Sequence, residues 1–153
     1  MKLFFDTSAL VKLFHEEDGT RAVEQLVVKE STRVRVLELA KLEFSSALYR
    51  RYRGGELDDA NLEIAMSGFL QQMSLFEVIG LDGAVVSRAR ELISEHGKVE
   101  GLRSLDALHL GAFASGADEG WIFVCADRRL AGIARRAGFE VIDPMEGSHV
   151  VGP

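Results

Sequence analysis

The chain has 153 residues, 47% of them hydrophobic, and a net charge of −6 at pH 7. That length and apolar content suit one domain with a single sizeable core, and the negative balance excludes bulk electrostatic attraction to nucleic acid, so any such contact must be local. Cys125 is the only cysteine, which excludes an internal disulfide. No Cys/His spacing makes a zinc site, and no apolar run is long enough for a membrane span or a signal peptide; a cytoplasmic protein is expected.

In chain order, Lys2-Leu3-Phe4-Phe5 is a short apolar run stopped by Asp6-Thr7-Ser8, the pattern of a buried strand handing over to helix-capping residues. A helix is expected from Ala9 to Phe14. His15-Glu16-Glu17-Asp18-Gly19 reads as a solvated loop, because consecutive residues do not share a face. Thr20 is the expected cap of a helix over residues 20–29. Arg33-Val34-Arg35-Val36 alternates with the period of a strand covered on one face, nearer a sheet edge than the first. A long helix follows, with Leu39, Leu42, Phe44, Ala47 and Leu48 inward, and it ends at Gly54-Gly55 after Arg50, Arg51 and Arg53.

Asp58 or Asp59 starts the next helix, striped by Leu62, Ala65, Met66, Phe69, Leu70 and Met73. Residues 76–79 form an expected third strand, and residues 82–96 a helix with Val85, Val86, Ala89, Leu92 and Ile93 inward, stopped at Gly97. The next helix buries Leu105, Leu108 and Ala112 and closes at Gly116. Trp121-Ile122-Phe123-Val124 reads as a central strand, a helix opens at Asp127, and residues 139–142 make a last short strand broken by Asp143-Pro144. Strands alternating with helices predict an α/β fold, a mainly parallel central sheet with helices on both faces.

Four acids stand beside apolar runs in this pattern: Asp6, Glu43, Asp106 and Asp127. Each has an ordinary explanation, since a carboxylate in or before a first helical turn meets unpaired amides and the positive end of the dipole. Their repetition points further. Asp6 and Asp127 each follow a strand, where ligands collect in open α/β sheets. Glu43 lies among apolar neighbours, where an unpaired carboxylate is costly. Several carboxylates in one pocket suit a hard ion such as Mg²⁺ or Mn²⁺, which would activate a water for phosphodiester cleavage.

The spaced motifs Phe5-Asp6-Thr7-Ser8-Ala9-Leu10, Glu43-Phe44-Ser45-Ser46-Ala47-Leu48, Leu102-Arg103-Ser104-Leu105-Asp106-Ala107-Leu108-His109-Leu110 and Ala126-Asp127-Arg128-Arg129-Leu130 together resemble those of the PIN-domain ribonucleases, particularly the VapC-type toxins. The resemblance covers residues 1–143 as one PIN-like domain and leaves 144–153 as a tail. It implies a Mg²⁺- or Mn²⁺-dependent endoribonuclease acting on RNA, homodimeric and held inactive by a cognate antitoxin, with Asp6, Glu43, Asp106 and Asp127 as catalytic and metal-binding residues.

Two positions depart from the pattern: Cys125 stands where many relatives carry Ser or Thr, and Leu37 where a hydroxyl is usual. A thiol is a poorer hydrogen-bonding group, so the surroundings of Asp127 are expected to be weaker. Asp143 is a candidate accessory acid, or a turn residue before Pro144. His109 is expected to be packed, with a pocket-facing role as the other reading, and Arg50, Arg51, Arg53, Arg128 and Arg129 are candidate phosphate contacts. A haloacid-dehalogenase-type phosphatase is disfavoured because Ser8 occupies the place of its second Asp. A catalytically silent PIN module that only binds a partner is the remaining alternative.

Overall fold

The computed structural model describes residues 1–116 and 120–146. Its strands β1 (Lys2–Phe5), β2 (Arg33–Leu37), β3 (Glu77–Ile79), β4 (Trp121–Val124) and β5 (Val141–Ile142) form one sheet in the order β3-β2-β1-β4-β5. Every neighbouring pair is parallel. The connecting helices are α1 (Thr7–Leu10), continued by a 3-10 turn at Val11–Leu13, α2 (Thr20–Val27), α3 (Leu39–Arg53), α4 (Asp59–Met73), α5 (Gly83–Glu100), α6 (Ser104–Gly116) and α7 (Arg128–Arg136). The expected α/β architecture is therefore present. None of the described helices is long and apolar enough to cross a membrane.

Alternation along β1 explains the two layers of core. Leu3 and Phe5 point to one face and pack with Leu10, Val23, Phe44 and Phe69 from α1 to α4. Phe4 points to the other and packs with Val85, Leu92, Leu110, Phe113 and Ile133 from α5 to α7. A strand buried on both sides reads as the continuous apolar run seen in the sequence. Each such side chain contributes roughly 1.5–3 kcal/mol when fully buried.

Several local expectations change. Helix α5 runs through Gly97 to Glu100, and the left-handed residue that ends it is Gly101 at φ 68°, whose N–H reaches the Gly97 carbonyl. A glycine weakens a helix interior without stopping it, and the better stop lies four residues on. Gly19, also left-handed, precedes α2; the Thr20 hydroxyl instead closes the preceding loop, accepting from Glu17 N at 3.0 Å and donating to His15 O at 3.1 Å. That loop is further tied by Lys12, whose ammonium donates to Glu17 Oε1 and Asp18 O at 2.8 Å each.

Leu42, Leu70, Val86 and Leu105, expected inward, are exposed, while Phe44, Leu48, Phe69, Met73, Val85 and Ala89 carry the burial. The last strand is shorter than residues 139–142, but Glu140 O still accepts from Phe123 N. Of the expected tail, Pro144 is buried and Glu146 forms an ion pair with Arg135 at 2.7 Å. Residues 147–153 lie outside the described residues.

Candidate active site

The sheet order places the site. The chain steps outward from β1 to β2 to β3, then returns to β4 on the other side of β1, so the crevice beyond the carboxyl ends of β1 and β4 is the switch point where such folds hold ligands. Asp6 directly follows β1, and Asp127 lies three residues beyond the end of β4. Both also start helices: an Asp6 oxygen accepts from Ser8 N at 3.0 Å, and Asp127 Oδ1 from Leu130 N at 3.0 Å. Capping and an active-site position are thus compatible for these two acids, since each cap bond engages one carboxylate oxygen.

One hydroxyl joins the two loops. Ser8 Oγ donates to Asp6 Oδ2 at 2.6 Å and accepts from Ala126 N at 3.0 Å and Asp127 N at 3.2 Å. The expected weakness at Cys125 is met from this side. Its buried sulfur lies 3.8 Å from Asp6 Oδ2 and 3.5 Å from Asp127 O, and burial, with the nearby Asp6 charge, pushes the thiol up and keeps it neutral. Ser8 supplies the hydroxyl that the sequence pattern led one to seek at residue 125. Leu37 is fully buried in the core.

Helices α3 and α6 bring in the other two acids. Glu43 Oε2 accepts from Thr7 Oγ1 at 2.5 Å and meets His109 Nε2 at 2.6 Å. His109, one turn beyond Asp106, is only 1% exposed, so it is the packed histidine expected, reaching the site through Glu43 from behind the cavity wall. Its Nδ1 has no hydrogen-bond partner among the described residues and lies 3.9 Å from Asp6 Oδ1. Burial opposes the imidazolium, yet the Glu43 bond and the charges of Asp6, Glu43 and Asp106 outweigh it and raise the His109 pKa. Burial likewise opposes ionising Glu43, but the bond and charge of His109 and the Thr7 hydroxyl hold its carboxyl below the usual range.

Asp106 is ion-paired to Arg129, whose guanidinium also donates to the Gly101 carbonyl at 2.9 Å. Arg129 therefore ties the start of α6 to α7. Burial raises the Asp106 pKa; Arg129 opposes this without cancelling it, and the charges of Asp6 and Asp127 add to the rise. Burial is the main cause, and the smaller push from Asp6 and Asp127 reflects like charge nearby.

Asp6, Glu43, Asp106 and Asp127 all line one cavity of about 580 Å³, together with Thr7, Ser8, Leu42, Arg50 and Arg51. Among the described residues no group of three His, Cys, Asp or Glu side chains is placed to enclose an ion. Each carboxylate is instead engaged by a protein partner: Ser8 on Asp6, Thr7 and His109 on Glu43, Arg129 on Asp106 and the α7 amide on Asp127. The donor chemistry nevertheless suits a hard divalent cation, since four carboxylates offer only oxygen and the one nearby thiol is neutral.

The remaining candidates separate. Asp143 is buried but not on the cavity wall, and its Oδ1 accepts from Met145 N at 2.8 Å, a turn bond. Arg53 and Arg128 also lie off the wall. Sequence reasoning missed Thr7 and Ser8 as more than capping residues and Arg129 as the partner of Asp106. The Asp-Thr-Ser run was the available signal for the first two, but contacts from residue 7 to 43 or 106 to 129 are tertiary and leave no local periodicity.

A family model described as the PIN domain matches residues 3–136. The chain belongs to the PIN domain family. No curated protein matches it. Among solved structures, this PIN domain resembles the DNA-bound VapBC of Salmonella typhimurium at 17% identity and TM-score 0.67, covering 94% of this chain and 98% of that one. It also resembles VapC20 of Mycobacterium tuberculosis, described as a sarcin-ricin loop cleaving toxin, at 17% identity and TM-score 0.68, covering 93% and 99%. PAE2754 of Pyrobaculum aerophilum is similar at 22% identity and TM-score 0.65, covering 95% and 90%. At these identities the likeness establishes the PIN fold over nearly the whole chain.

Proposed function

We propose that this PIN domain is a Mg²⁺- or Mn²⁺-dependent endoribonuclease and the toxin of a toxin-antitoxin pair, acting in the cytoplasm. The observation that carries the reading is the lining of a single cavity by Asp6, Glu43, Asp106 and Asp127 at the carboxyl end of the sheet. Asp6, Asp106 and Asp127, with Glu43 completing the set, are the residues that would hold the ion. When bound, a divalent ion lowers the pKa of a coordinated water and stabilises the leaving oxygen of a phosphodiester.

The chain's own residues prepare that chemistry. Ser8 fixes Asp6 against the loop carrying Asp127. Arg129 engages Oδ2 of Asp106 and orients that carboxylate from outside the cavity, as partners of metal-binding carboxylates do. Thr7 and His109 both engage Oε2 of Glu43. The acids raise the His109 pKa against burial, which favours a cationic ring that offsets part of their mutual repulsion. No side-chain nucleophile is required.

An antitoxin and a homodimer belong to the same proposal. The similar folds include a VapBC assembly and a toxin, and α4 leaves Ile64 and Leu70 more than half exposed, an apolar surface suited to a covering partner. The test is cleavage of generic RNA by the purified chain, with light scattering for its mass. Cleavage in Mg²⁺ or Mn²⁺ that stops in excess chelator is expected. Cleavage that persists in chelator overturns the metal requirement, and no cleavage under any condition favours the silent partner-binding module.

A further inference from the structure

We propose that the outward stripe of α3 is a track for single-stranded RNA, in which Arg50 and Arg51 hold a backbone phosphate away from the acids; this rests on the nuclease reading above. Leu42, Glu43, Ser46, Ala47, Arg50 and Arg51 recur at three- and four-residue spacing, and all six line the same cavity. The stripe therefore begins at a proposed catalytic acid and ends in two cations. Seven residues separate Glu43 from Arg50, two turns or roughly 10 Å along the axis. That distance puts the arginines on a neighbouring phosphate and not on the scissile one.

Arg50 and Arg51 are the only arginines on the wall of this cavity among the described residues, and like Arg21, Arg53, Arg90, Arg103 and Arg128 they stand outside the ion pairs that hold the others. Arg33 and Arg35 pair with Glu77, Arg88 with Glu91, Arg129 with Asp106, Arg135 with Glu146 and Arg136 with Glu100. Neither Arg50 nor Arg51 has an acidic partner among the described residues. Their place in the last turn of α3 favours cations through the helix dipole. That effect does not account for two of them opening onto a cavity shared with four acids. An RNA chain approaching those acids is repelled by them, and in a protein of net charge −6 it needs local cations.

Beside the charged groups part of the wall is apolar. Leu42 is 68% exposed, and Phe14, Ala47 and Leu57 line the same space. Such a surface suits unstacked bases, whose flat faces lie on apolar and aromatic side chains when the strand is single. A duplex keeps its bases stacked on one another and gains nothing from that wall.

The test uses Asp106→Asn, in which cleavage is expected to be blocked, and measures anisotropy of a labelled unstructured RNA oligonucleotide across a salt series in Mg²⁺. Adding Arg50→Ala with Arg51→Ala is expected to weaken binding at least tenfold. The slope of log affinity against log salt should fall by roughly 0.7, the value for one phosphate contact on a single strand. Arg90→Ala, exposed on α5 and off the cavity wall, should leave both unchanged, and a duplex of the same sequence should bind more weakly. Matching thermal midpoints for all variants exclude unfolding as the cause. Unchanged affinity and slope in the double variant overturn the track, as does equal binding of the duplex. Weakened binding of a polyglutamate peptide with RNA affinity unchanged assigns the stripe to an acidic protein segment and also overturns it. Absence of RNA binding by Asp106→Asn itself overturns the nuclease reading beneath it.

Discussion

The two helix pairs that flank the site are built differently. Helices α5 and α6 meet backbone to backbone: a Cβ added at Gly111 would stand 2.8 Å from Val85 O and 2.9 Å from Ala89 N. Helices α3 and α4 meet through side chains, with Phe44 and Phe69 stacked at 3.8 Å between ring centroids and Phe14 edge-on to both. The first pair buries Val85, Ala89, Leu92, Leu110 and Phe113 and the second Phe44, Leu48, Phe69 and Met73, and each keeps apolar residues exposed, Val86, Val99 and Leu105 on the first and Leu42, Ile64 and Leu70 on the second. Asp106 and His109 thus stand on a closely packed platform, and Glu43 stands on a helix whose outer stripe is free for a ligand. The closely packed pair positions chemistry, and the pair whose helix stripe lines the cavity binds.

The largest expected break falls on the α3–α4 side. Phe69→Ala removes the fully buried centre of the aromatic cluster and should cost about 3–5 kcal/mol by denaturant unfolding. A loss under about 1 kcal/mol would mean that the cluster does not hold α4 to α3.

On the other side, Gly111→Ala inserts a methyl into the backbone contact of α5 and α6. It should cost about 1–3 kcal/mol, because neither backbone can move aside cheaply. The usual gain from replacing a helical glycine with alanine, roughly 1 kcal/mol, should be overridden. An increase in stability on this substitution would show that the two helices are not in close contact.

Exposed apolar residues should behave oppositely. Leu42→Ser and Ile64→Ser should each change stability by less than about 0.5 kcal/mol, and Leu42→Ser should weaken RNA binding, where an unfolding series and an anisotropy titration separate the two effects. A loss of stability comparable to that of Phe69→Ala would place Leu42 in the core.

The same division explains what the sequence made legible. Strand ends and their acids are local features, so Asp6 after Phe5 and Asp127 after the Trp121–Val124 run stood out by pattern alone. The alternation of strands and helices likewise sufficed for a parallel sheet. Burial on α3 did not follow from composition, because Leu42 and Leu48 are the same residue type and only the position of α4 and the sheet decides which is covered. Helix α5 outran Gly97 because helix ends depend on competition between stops, and Gly101 is the one that adopts the left-handed conformation. The bonds from Thr7 and His109 to Glu43 and from Arg129 to Asp106 join residues far apart in sequence, and these contacts determine how the acids are held.

The central claim is that Asp106 serves an ion and not merely the start of α6. Asp106→Asn keeps the side chain's shape and its ability to accept from Arg129, but removes a charge that burial and the neighbouring acids disfavour. Without metal, its unfolding midpoint should equal or exceed that of the parent. Saturating Mn²⁺ should raise the parent midpoint, by about 2.7 kcal/mol in stability at a hundredfold excess over Kd, and leave the variant nearly unmoved. RNA cleavage measured beside it should be lost in the variant. Cleavage by Asp106→Asn at the parental rate, with the same Mn²⁺ response as the parent, would contradict the account.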